Sequence, residues 1–462
     1  MLVKALNIQL GSTHIGILFQ YELVPGQPIT RFMPDEAFAN ERNAPTVSLS
    51  MKAAEPESQK LLWFDLAAPM FNGRISARNG ALLPAFFQGL LPEGVLREHI
   101  AALRDCDPKD HFELLAACGR DLPGNLYASP AHLDATTLSR LVSPEVVLDE
   151  EVVAEPMEDG VSVSGIQPKI GVLREGERYV GRTKLQDAHI IAKLPVVGYP
   201  FLPELEHLSL QLADKAGVNV CHTVLEPLRK LAVEHGFDLG EAGQDTLFLA
   251  VSRFDRSPGR RIHVEDFGQI MGIAPEDKYT ASYLEIAAVM LGEPSLGEAA
   301  VHELLRRLTV NELLGNPDMH LKNIGIIYTD GRTPSLSPAY DIVGYSAYHR
   351  RHGHALHLLP NTAPKTRIRA ANPEQPRQAK PSLSPLLLRE FCSALGLLEK
   401  PAARVIQKTV QQAVKAWPSM IRQSGLTERQ KTNLLQQLAE HPMVGSLVKR
   451  DPRLNETLGS GG

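Results

Sequence analysis

Three residues with oxygen-bearing side chains lie near one another in the second half of the chain: Asp318, Asn323 and Asp341. Carboxylate and amide oxygens are the ligands that Mg²⁺ prefers, and a carboxylate can also take a proton from a hydroxyl group. Between Asn323 and Asp341 an apolar run is followed by Asp330 and Gly331, which predicts a β-hairpin with its turn midway. We therefore expect Asn323 and Asp341 to meet at one end of that hairpin, beside the loop of Asp318.

The spacing of these residues is that of a phosphoryl-transfer site. In protein kinases the catalytic Asp, which orients the attacking hydroxyl, precedes a Mg²⁺-binding Asn by five positions. Asp318 precedes Asn323 by the same interval. The sequence thus predicts Asp318 as the base, with Asn323 and Asp341 holding Mg²⁺ across the phosphates of ATP. So short a motif, taken alone, more often marks an ordinary loop.

Segments upstream supply the other parts that an ATP site needs. A glycine-containing loop lets backbone N–H groups approach phosphate. The predicted phosphate loop comprises Ser164, Gly165, Ile166, Gln167, Pro168 and Lys169. Lys193 ends an apolar, strand-like run and is predicted to contact the α- and β-phosphates, paired with Glu206 on a helix predicted over residues 202–216. A surface lysine at a strand end is the plainer alternative.

The elements that would position these residues follow from apolar periodicity. Residues 2–22 alternate in polarity around a Gly-Ser turn, which predicts two strands. A helix that ends at Gly315 is predicted by apolar residues at helical spacing, namely Val301, Leu304, Leu305 and Leu308. Residues 382–450 predict further helices. The acidic residues 149–160 include no aromatic side chain and predict a solvated linker between domains.

The composition narrows the class of protein. A chain of 462 residues is long enough for roughly two to three domains, and 43% hydrophobic with 22% charged residues is typical of a globular protein. The formal net charge of -5 argues against a protein that coats nucleic acid. Four scattered cysteines predict neither a zinc site nor disulfides and favour a reducing, cytoplasmic location. No apolar run approaches the ~20 residues of a spanning helix, so neither a signal peptide nor a membrane segment is predicted.

Seven segments resemble the HipA family of toxin–antitoxin kinases, in the family's order and over nearly the whole chain. They are GRDLPGNL (residues 119–126), SVSGIQPKIGVL (162–173), IIAKLP (190–195), SRFDR (252–256), HVEDFGQIMG (263–272), GNPDMHLKN (315–323) and PAYDIV (338–343). Seven ordered matches are far more specific than any single motif. The resemblance implies an α+β fold: a protein-kinase-like bilobal core with an amino-terminal mixed α/β domain of HipA type and a mostly helical carboxy-terminal lobe.

The resemblance also implies domain boundaries and roles for individual residues. We predict a HipA-like amino-terminal domain over residues 1–145, an ATP-binding small lobe over 146–260 and a helical catalytic lobe over 261–455. The adenine-side hinge would be Ser252, Arg253 and Phe254. The residues beside the phosphates would be His320, Leu321, Lys322 and Asn323.

Two positions bear on regulation and activity. Ser162 matches the serine that family members autophosphorylate, and a dianion added beside the acidic segment would push the phosphate loop away from ATP. Phosphorylation of Ser162 is therefore expected to inhibit. Pro317 stands where relatives usually have Thr or Ser, which removes a hydroxyl and restricts φ, so the geometry of this loop could differ.

The resemblance implies partners as well. It predicts transfer to a serine or threonine of a protein, with an aminoacyl-tRNA synthetase or another translation component as the expected target. It also predicts a HipB-like helix-turn-helix antitoxin, DNA contact only through that antitoxin, and no membrane association. One alternative is a small-molecule or lipid kinase of the phosphoinositide-kinase type, which shares the D-x-H-x-x-N pattern of Asp318, His320 and Asn323. Another, which Pro317 keeps open, is a catalytically silent corepressor that binds the antitoxin.

Two further patterns resemble metal sites but are not predicted to bind a metal. Asp266-Phe267-Gly268 resembles the kinase DFG motif but precedes Asp318 in the chain, so it is interpreted as the start of a helix. Four histidines cluster after Asp341: His349, His352, His354 and His357. Their irregular spacing and the absence of nearby Cys or acidic residues favour a solvated loop over a metal site.

Overall fold

The structure is a computed structural model. It describes residues 2–22, 24, 26–65, 67–76, 80–131, 150–152, 167–181, 187–257, 259–349, 353–360, 382–454 and 458. The chain forms two compact units. Unit 1 comprises Met1–Val197, Glu226–Asp277 and Gly325–Ser337, and unit 2 comprises Gly198–Leu225, Lys278–Ile324 and Pro338–Gly462. Because the chain passes between the units several times, the three-domain division of the sequence stays a prediction.

The strands form mainly antiparallel sheets. In chain order they are β1 (Leu2–Leu10), β2 (Thr13–Glu22), β3 (Pro28–Pro34), β4 (Arg74–Ser76), β5 (Gly80–Leu82), β6 (Leu126–Pro130), β7 (Glu150–Val152), β8 (Lys169–Glu175), β9 (Arg178–Gly181), β10 (Ile190–Lys193), β11 (Thr223–Pro227), β12 (Leu231–Ala232), β13 (Leu247–Ser252), β14 (Arg256–Ser257), β15 (Arg260–Arg261), β16 (His263–Asp266), β17 (Gly325–Tyr328) and β18 (Ser335–Leu336). One sheet has the order β3-β2-β1-β6, with β7 also pairing with β1, and a second has the order β11-β13-β10-β8-β9-β12. A third sheet has the order β16-β17-β18. In the chain, β16 lies before the loop of Asp318, and β17 and β18 lie after it.

The helices fall in both units. In chain order they are α1 (Glu36–Asn40), α2 (Pro56–Phe64), α3 (Ala85–Gly89), α4 (Gly94–Arg104), α5 (His111–Cys118), α6 (Leu202–Lys215), α7 (Phe267–Ile270), α8 (Tyr283–Gly292), α9 (Gly297–Leu314), α10 (Pro385–Ala394), α11 (Glu399–Gln423), α12 (Glu428–Glu440) and α13 (Pro442–Arg450). The helix predicted over residues 202–216 is confirmed as α6, and those over 382–450 as α10 to α13. None of the helices within the described ranges is long and apolar enough to cross a membrane.

The amino-terminal sheet of unit 1 is built on the predicted hairpin. Strands β1 and β2 pair antiparallel, and their turn contains Gly11 at φ +61°, a conformation that glycine adopts without steric cost. Helices α2 to α5 contribute to the apolar core that packs on this sheet, together with Phe32 and Phe71. The linker predicted over residues 149–160 is wrong at its described residues, because Glu150–Val152 pairs in parallel with the first residues of β1.

Two of the family-like segments meet in a buried ion-pair cluster within unit 1, here called the Arg253 cluster (Asp121, Arg253, Asp255 and Arg256). The Arg253 guanidinium lies 3.2 Å from Asp121 and 2.9 Å from Asp255. The Arg256 guanidinium lies 3.2 Å from Asp121 and 2.7 Å from Asp255. The backbone N–H of Gly124 also donates to Asp255 at 2.9 Å. These bonds join GRDLPGNL to SRFDR and hold the end of β13 against the amino-terminal domain.

The third sheet confirms two local predictions. Asp266 caps α7: its carboxylate accepts the Gln269 N–H at 2.9 Å and the Gln269 side chain accepts the Asp266 N–H at 3.0 Å, a capping box. The Asp-Phe-Gly segment therefore starts a helix, as predicted. The predicted hairpin after Asn323 is confirmed as β17 and β18, whose turn is closed by Asp330 accepting the backbone N–H groups of Arg332 and Thr333.

Strand β16 carries a buried carboxylate, Glu265. Ser48 Oγ–H donates to it at 2.6 Å, the Leu49 N–H donates at 2.9 Å, and the Tyr328 hydroxyl makes a further short contact. Burial raises the pKa of Glu265 to about 7, despite the opposing hydrogen bonds from Ser48 and Tyr328. The folded chain therefore holds this proton more tightly than the unfolded chain, in which the pKa is 4.5.

We expect this carboxyl to make folding pH-dependent. The stabilisation that it provides is fully present below pH 4.5 and is lost as the pH rises through 7. The free energy of unfolding should fall by on the order of 3 kcal/mol across that window. In Glu265→Gln, which stays neutral, this component should disappear from urea unfolding curves recorded between pH 4.5 and 7.5. An equally steep pH dependence in parent and variant would contradict this assignment.

Unit 2 is mainly helical. Helix α9 packs against α8 and α11, and α6 also packs against α11. The indole N–H of the fully buried Trp417 in α11 donates to the Leu212 carbonyl of α6 at 2.8 Å. Helix α9 ends as predicted, with Gly315 at φ +62°. The loop of Asp318 begins directly after this helix end.

Candidate active site

A network of asparagine side chains shapes the loop after α9. The Asn316 side-chain N–H donates to Asn311 Oδ1 at 2.6 Å, and the Asn316 backbone N–H donates to the Asn311 carbonyl at 2.8 Å. The Asp318 N–H then donates to Asn316 Oδ1 at 3.2 Å. The N–H that Pro317 lacks is not needed for these bonds, so the loop accommodates the proline without losing its anchors.

Asp318 lies in this loop, and its carboxylate is accessible to solvent. The Asp318 side chain is 43% exposed. Its Oδ1 accepts a 2.6 Å hydrogen bond from the Tyr279 hydroxyl and lies 3.9 Å from His320 Nε2. The Tyr279 ring also meets the buried His320 ring edge to face, with 4.9 Å between centroids. Sequence reasoning missed Tyr279, because a single tyrosine outside any chemical pattern carries no signal.

Asn323 is joined directly to the same loop. Its Nδ2–H donates to the Asp318 carbonyl at 2.9 Å and its backbone N–H donates to the His320 carbonyl at 2.9 Å. With the amide nitrogen so engaged, the Oδ1 atom is the part of this side chain suited to a cation. The hard oxygen donors of Asn323 and Asp341 fit Mg²⁺, which prefers carboxylate and amide oxygens.

Asp341 is brought to the same place in unit 2. The hydroxyl of its neighbour Tyr340 donates to the Lys322 carbonyl at 2.8 Å, which fixes the Asp341 segment beside the turn of Asn323. Asp341 has φ +54°, the left-handed region that costs a non-glycine residue energy and that clusters at functional sites. These contacts bring the loop of Asp318, Asn323 and the segment of Asp341 close together, and the roles assigned to the three side chains stay predictions.

Unit 1 holds two buried lysines side by side. Lys193 of β10 pairs in register with Lys169 of β8, and the two residues are only 6% and 4% exposed. Residues directly opposite on antiparallel strands point to the same face of the sheet. The adjoining Gln167 and Pro168 are tied to Leu194 by hydrogen bonds of 3.0 and 2.9 Å. The two lysines thus lie at one position of the sheet, where the predicted phosphate loop joins β8.

The other residues that the sequence predicts at the ATP site lie in several different parts of the chain. The Arg253 side chain forms ion pairs within the Arg253 cluster. The backbone N–H of Arg253 donates to the His189 carbonyl at 2.9 Å. Ser252 ends β13 opposite Ile190, and Glu206 is buried in α6 of unit 2. Ser162, Ser164, Gly165 and Ile166 lie outside the described residues.

The interpretation of the histidine cluster as a solvated loop is wrong for His354. His354 is buried, and its Nε2 lies 2.8 Å from Glu312 Oε2 of α9. His441 Nε2 lies 3.3 Å from the other Glu312 oxygen. Burial alone would raise the pKa of Glu312, but the two histidines hold it well below its ordinary value. Among the described residues, no three His, Cys, Asp or Glu side chains are grouped to hold a metal.

The fold and the loop geometry define a protein of the α+β, kinase-like class. Residues 6–129 match the HipA N-terminal domain family, and residues 161–417 match the HipA-like C-terminal domain family. The chain belongs to the HipA family.

Relatives and a solved structure agree with this assignment. “Putative kinase Y4dM” of Sinorhizobium fredii is 33% identical over 352 residues, 75% of this chain and 78% of the relative. A protein of Haemophilus influenzae named “Putative kinase” is 30% identical over 213 residues, 44% of this chain and 58% of the relative. The HipA chain of the Shewanella oneidensis HipA, HipB and operator DNA complex matches with a TM-score of 0.62 at 17% identity, covering 99% of this chain and 100% of that chain. The predicted HipA-type fold is thereby confirmed.

Proposed function

We propose that this chain is a HipA-type toxin kinase that transfers the γ-phosphate of Mg-ATP to a serine or threonine hydroxyl of a protein. The observation that carries the proposal is the joined loop of Asp318 and Asn323, with the Asp341 segment tied beside it. An accessible carboxylate, an amide oxygen and a second carboxylate in this order are what hydroxyl phosphorylation requires.

In this reaction Asp318 orients the acceptor hydroxyl and takes its proton while the new O–P bond forms. The bond between the β–γ bridging oxygen and the γ-phosphorus breaks, and ADP leaves. Asn323 and Asp341 would hold Mg²⁺, which neutralises charge on the phosphates. Lys193 would contact the phosphates, as the strand lysine of protein kinases does, with Lys169 beside it on β8.

The proposals on regulation and partners rest on membership of the HipA family. We propose that Ser162 is autophosphorylated with loss of activity, and that a HipB-like helix-turn-helix antitoxin binds the chain and carries any contact with DNA. The complex of the Shewanella oneidensis relative with HipB and operator DNA supports such a partner. A translation component such as an aminoacyl-tRNA synthetase is the proposed target.

Incubation of the purified chain with γ-labelled ATP and Mg²⁺, alone and with cell extract, tests the proposal. Labelled serine or threonine in extract proteins is the expected result, and Ser162→Ala should lose self-labelling while retaining substrate labelling. Label in lipid or metabolite alone would establish the small-molecule alternative. Absence of any transfer, with ATP binding intact, would establish the silent corepressor.

The Tyr279 hydroxyl is expected to orient the Asp318 carboxylate. Tyr279→Phe removes a donor that holds the Asp318 carboxylate in place, so the carboxylate should be less well oriented toward the acceptor hydroxyl. At neutral pH the rate should fall about tenfold, the usual effect of a hydrogen bond to a charged group. Tyr199→Phe, a matched change at an exposed tyrosine of unit 2, should leave the rate within twofold. An unchanged rate in Tyr279→Phe would refute the role.

A further inference from the structure

A pocket lies within unit 1, lined in part by residues of helices α3, α4 and α5. It encloses about 280 Å³, enough for a ligand of amino-acid size but small for a nucleotide. Leu91, Pro108 and Pro275 give it an apolar wall. No step of the proposed phosphoryl transfer uses this pocket.

Two buried polar side chains lining the pocket have an atom without a hydrogen-bond partner among the described residues. Gln88 donates through Nε2 to the Leu83 carbonyl at 2.6 Å, but no described residue donates to its Oε1. His111, the first residue of α5, has an unsatisfied Nδ1. The two residues are 2% and 6% exposed. Unsatisfied buried polar atoms are costly, so native proteins pair such groups with water or ligand.

A partly buried cation completes the pocket. Arg97 of α4 donates through Nε to the Pro108 carbonyl at 2.6 Å. Within the described ranges no carboxylate lies close enough to form an ion pair with this guanidinium, and burial lowers the pKa of Arg97. A guanidinium with its two terminal NH₂ groups available binds a carboxylate through two parallel hydrogen bonds.

The remaining charges of the lining are mostly acidic. Glu98, Asp107 and Glu276 carry carboxylates, against one further cation at Lys109. All three carboxylates belong to exposed residues, so they lie toward solvent rather than in the apolar part, and Glu276 also lies 3.8 Å from the guanidinium of Arg74. The pocket thus combines a partly buried cation, a buried amide oxygen, an apolar wall and several carboxylates. These features match a molecule that carries a carboxylate and an ammonium group close together.

We propose that this pocket binds a free amino acid with an apolar side chain. Its carboxylate pairs with the Arg97 guanidinium, its ammonium group donates to Gln88 Oε1, and its side chain packs on Leu91 and Pro108. A phosphate or dicarboxylate fits less well, because the acidic residues would repel a second negative charge.

Equilibrium dialysis of the full chain against each of the labelled L-amino acids, without nucleotide, tests the proposal. Saturable binding of at least one apolar amino acid at one site per chain is expected. Arg97→Gln should weaken it at least about tenfold, since charge-assisted bidentate pairs are among the stronger hydrogen bonds. Arg97→Lys keeps the charge but not the two-pronged donor and should weaken binding less. Arg104→Gln, near the end of the same helix, should have no effect.

Two results would overturn the proposal. One is the absence of saturable binding by every amino acid, which would mean that ordered water satisfies Gln88 and His111. The other is binding that Arg97→Gln leaves unchanged, which would place the ligand elsewhere. Thermal melting of each variant identifies unfolded protein, and Arg97→Lys decides the case if Arg97→Gln does not fold. Phosphoryl transfer is measured separately, so either proposal can fail alone.

Discussion

Asp318→Asn is expected to lower the rate of phosphoryl transfer by about 10²- to 10⁴-fold, the range that a positioned general base contributes. The amide keeps the shape of the side chain and can still accept from the Tyr279 hydroxyl, but it cannot take the proton of the acceptor. Initial rates with labelled ATP and a protein acceptor give the measurement. Binding of ATP should change much less than the rate, because Asp318 acts on the acceptor.

A matched control is available in the same unit. Asp214→Asn changes an exposed aspartate of α6 whose carboxylate lies 3.5 Å from Lys215, and it should leave the rate within twofold, as is usual for a surface substitution. If Asp318→Asn retained the parent rate while Asp341→Asn abolished it, the base would have to be another residue. If both variants retained the parent activity, the proposed active site would be wrong.

Asp255→Ala is expected to destabilise the chain by about 3–5 kcal/mol. The substitution leaves the buried guanidinium groups of Arg253 and Arg256 without their closest carboxylate and removes the acceptor of the Gly124 N–H. Burial alone would raise the pKa of Asp255, but the two arginines hold it well below its ordinary value, so the carboxylate is charged throughout the physiological range. Urea unfolding followed by near-ultraviolet circular dichroism gives the measurement.

An exposed ion pair supplies the comparison for this prediction. Asp245 pairs with Arg229, and the two side chains are 87% and 57% exposed. Asp245→Ala should therefore cost less than about 1 kcal/mol. A loss for Asp255→Ala no larger than that of Asp245→Ala would show that the Arg253 cluster does not hold the two motifs together.

The sequence by itself determined the elements whose signals are local. The β1–β2 hairpin, the end of α9 at Gly315 and the capping box of Asp266 each depend on residues a few positions apart, and periodicity, glycine conformation and side-chain capping act over that range. The hairpin of β17 and β18 is of the same kind. Its turn chemistry also indicated that Asn323 and Asp341 would come together.

Only the tertiary structure decided which side chains these elements bring into contact. The side chain of Arg253, a residue predicted at the nucleotide hinge, pairs with Asp121, 132 positions away in the chain. Tyr279 reaches Asp318 across 39 positions, and His354 is buried against Glu312. Such pairs depend on the packing of elements that are far apart in the chain. This packing produces no periodic pattern in the sequence. Burial, and with it the raised pKa of Glu265, is likewise set by what packs around a residue rather than by its neighbours in sequence.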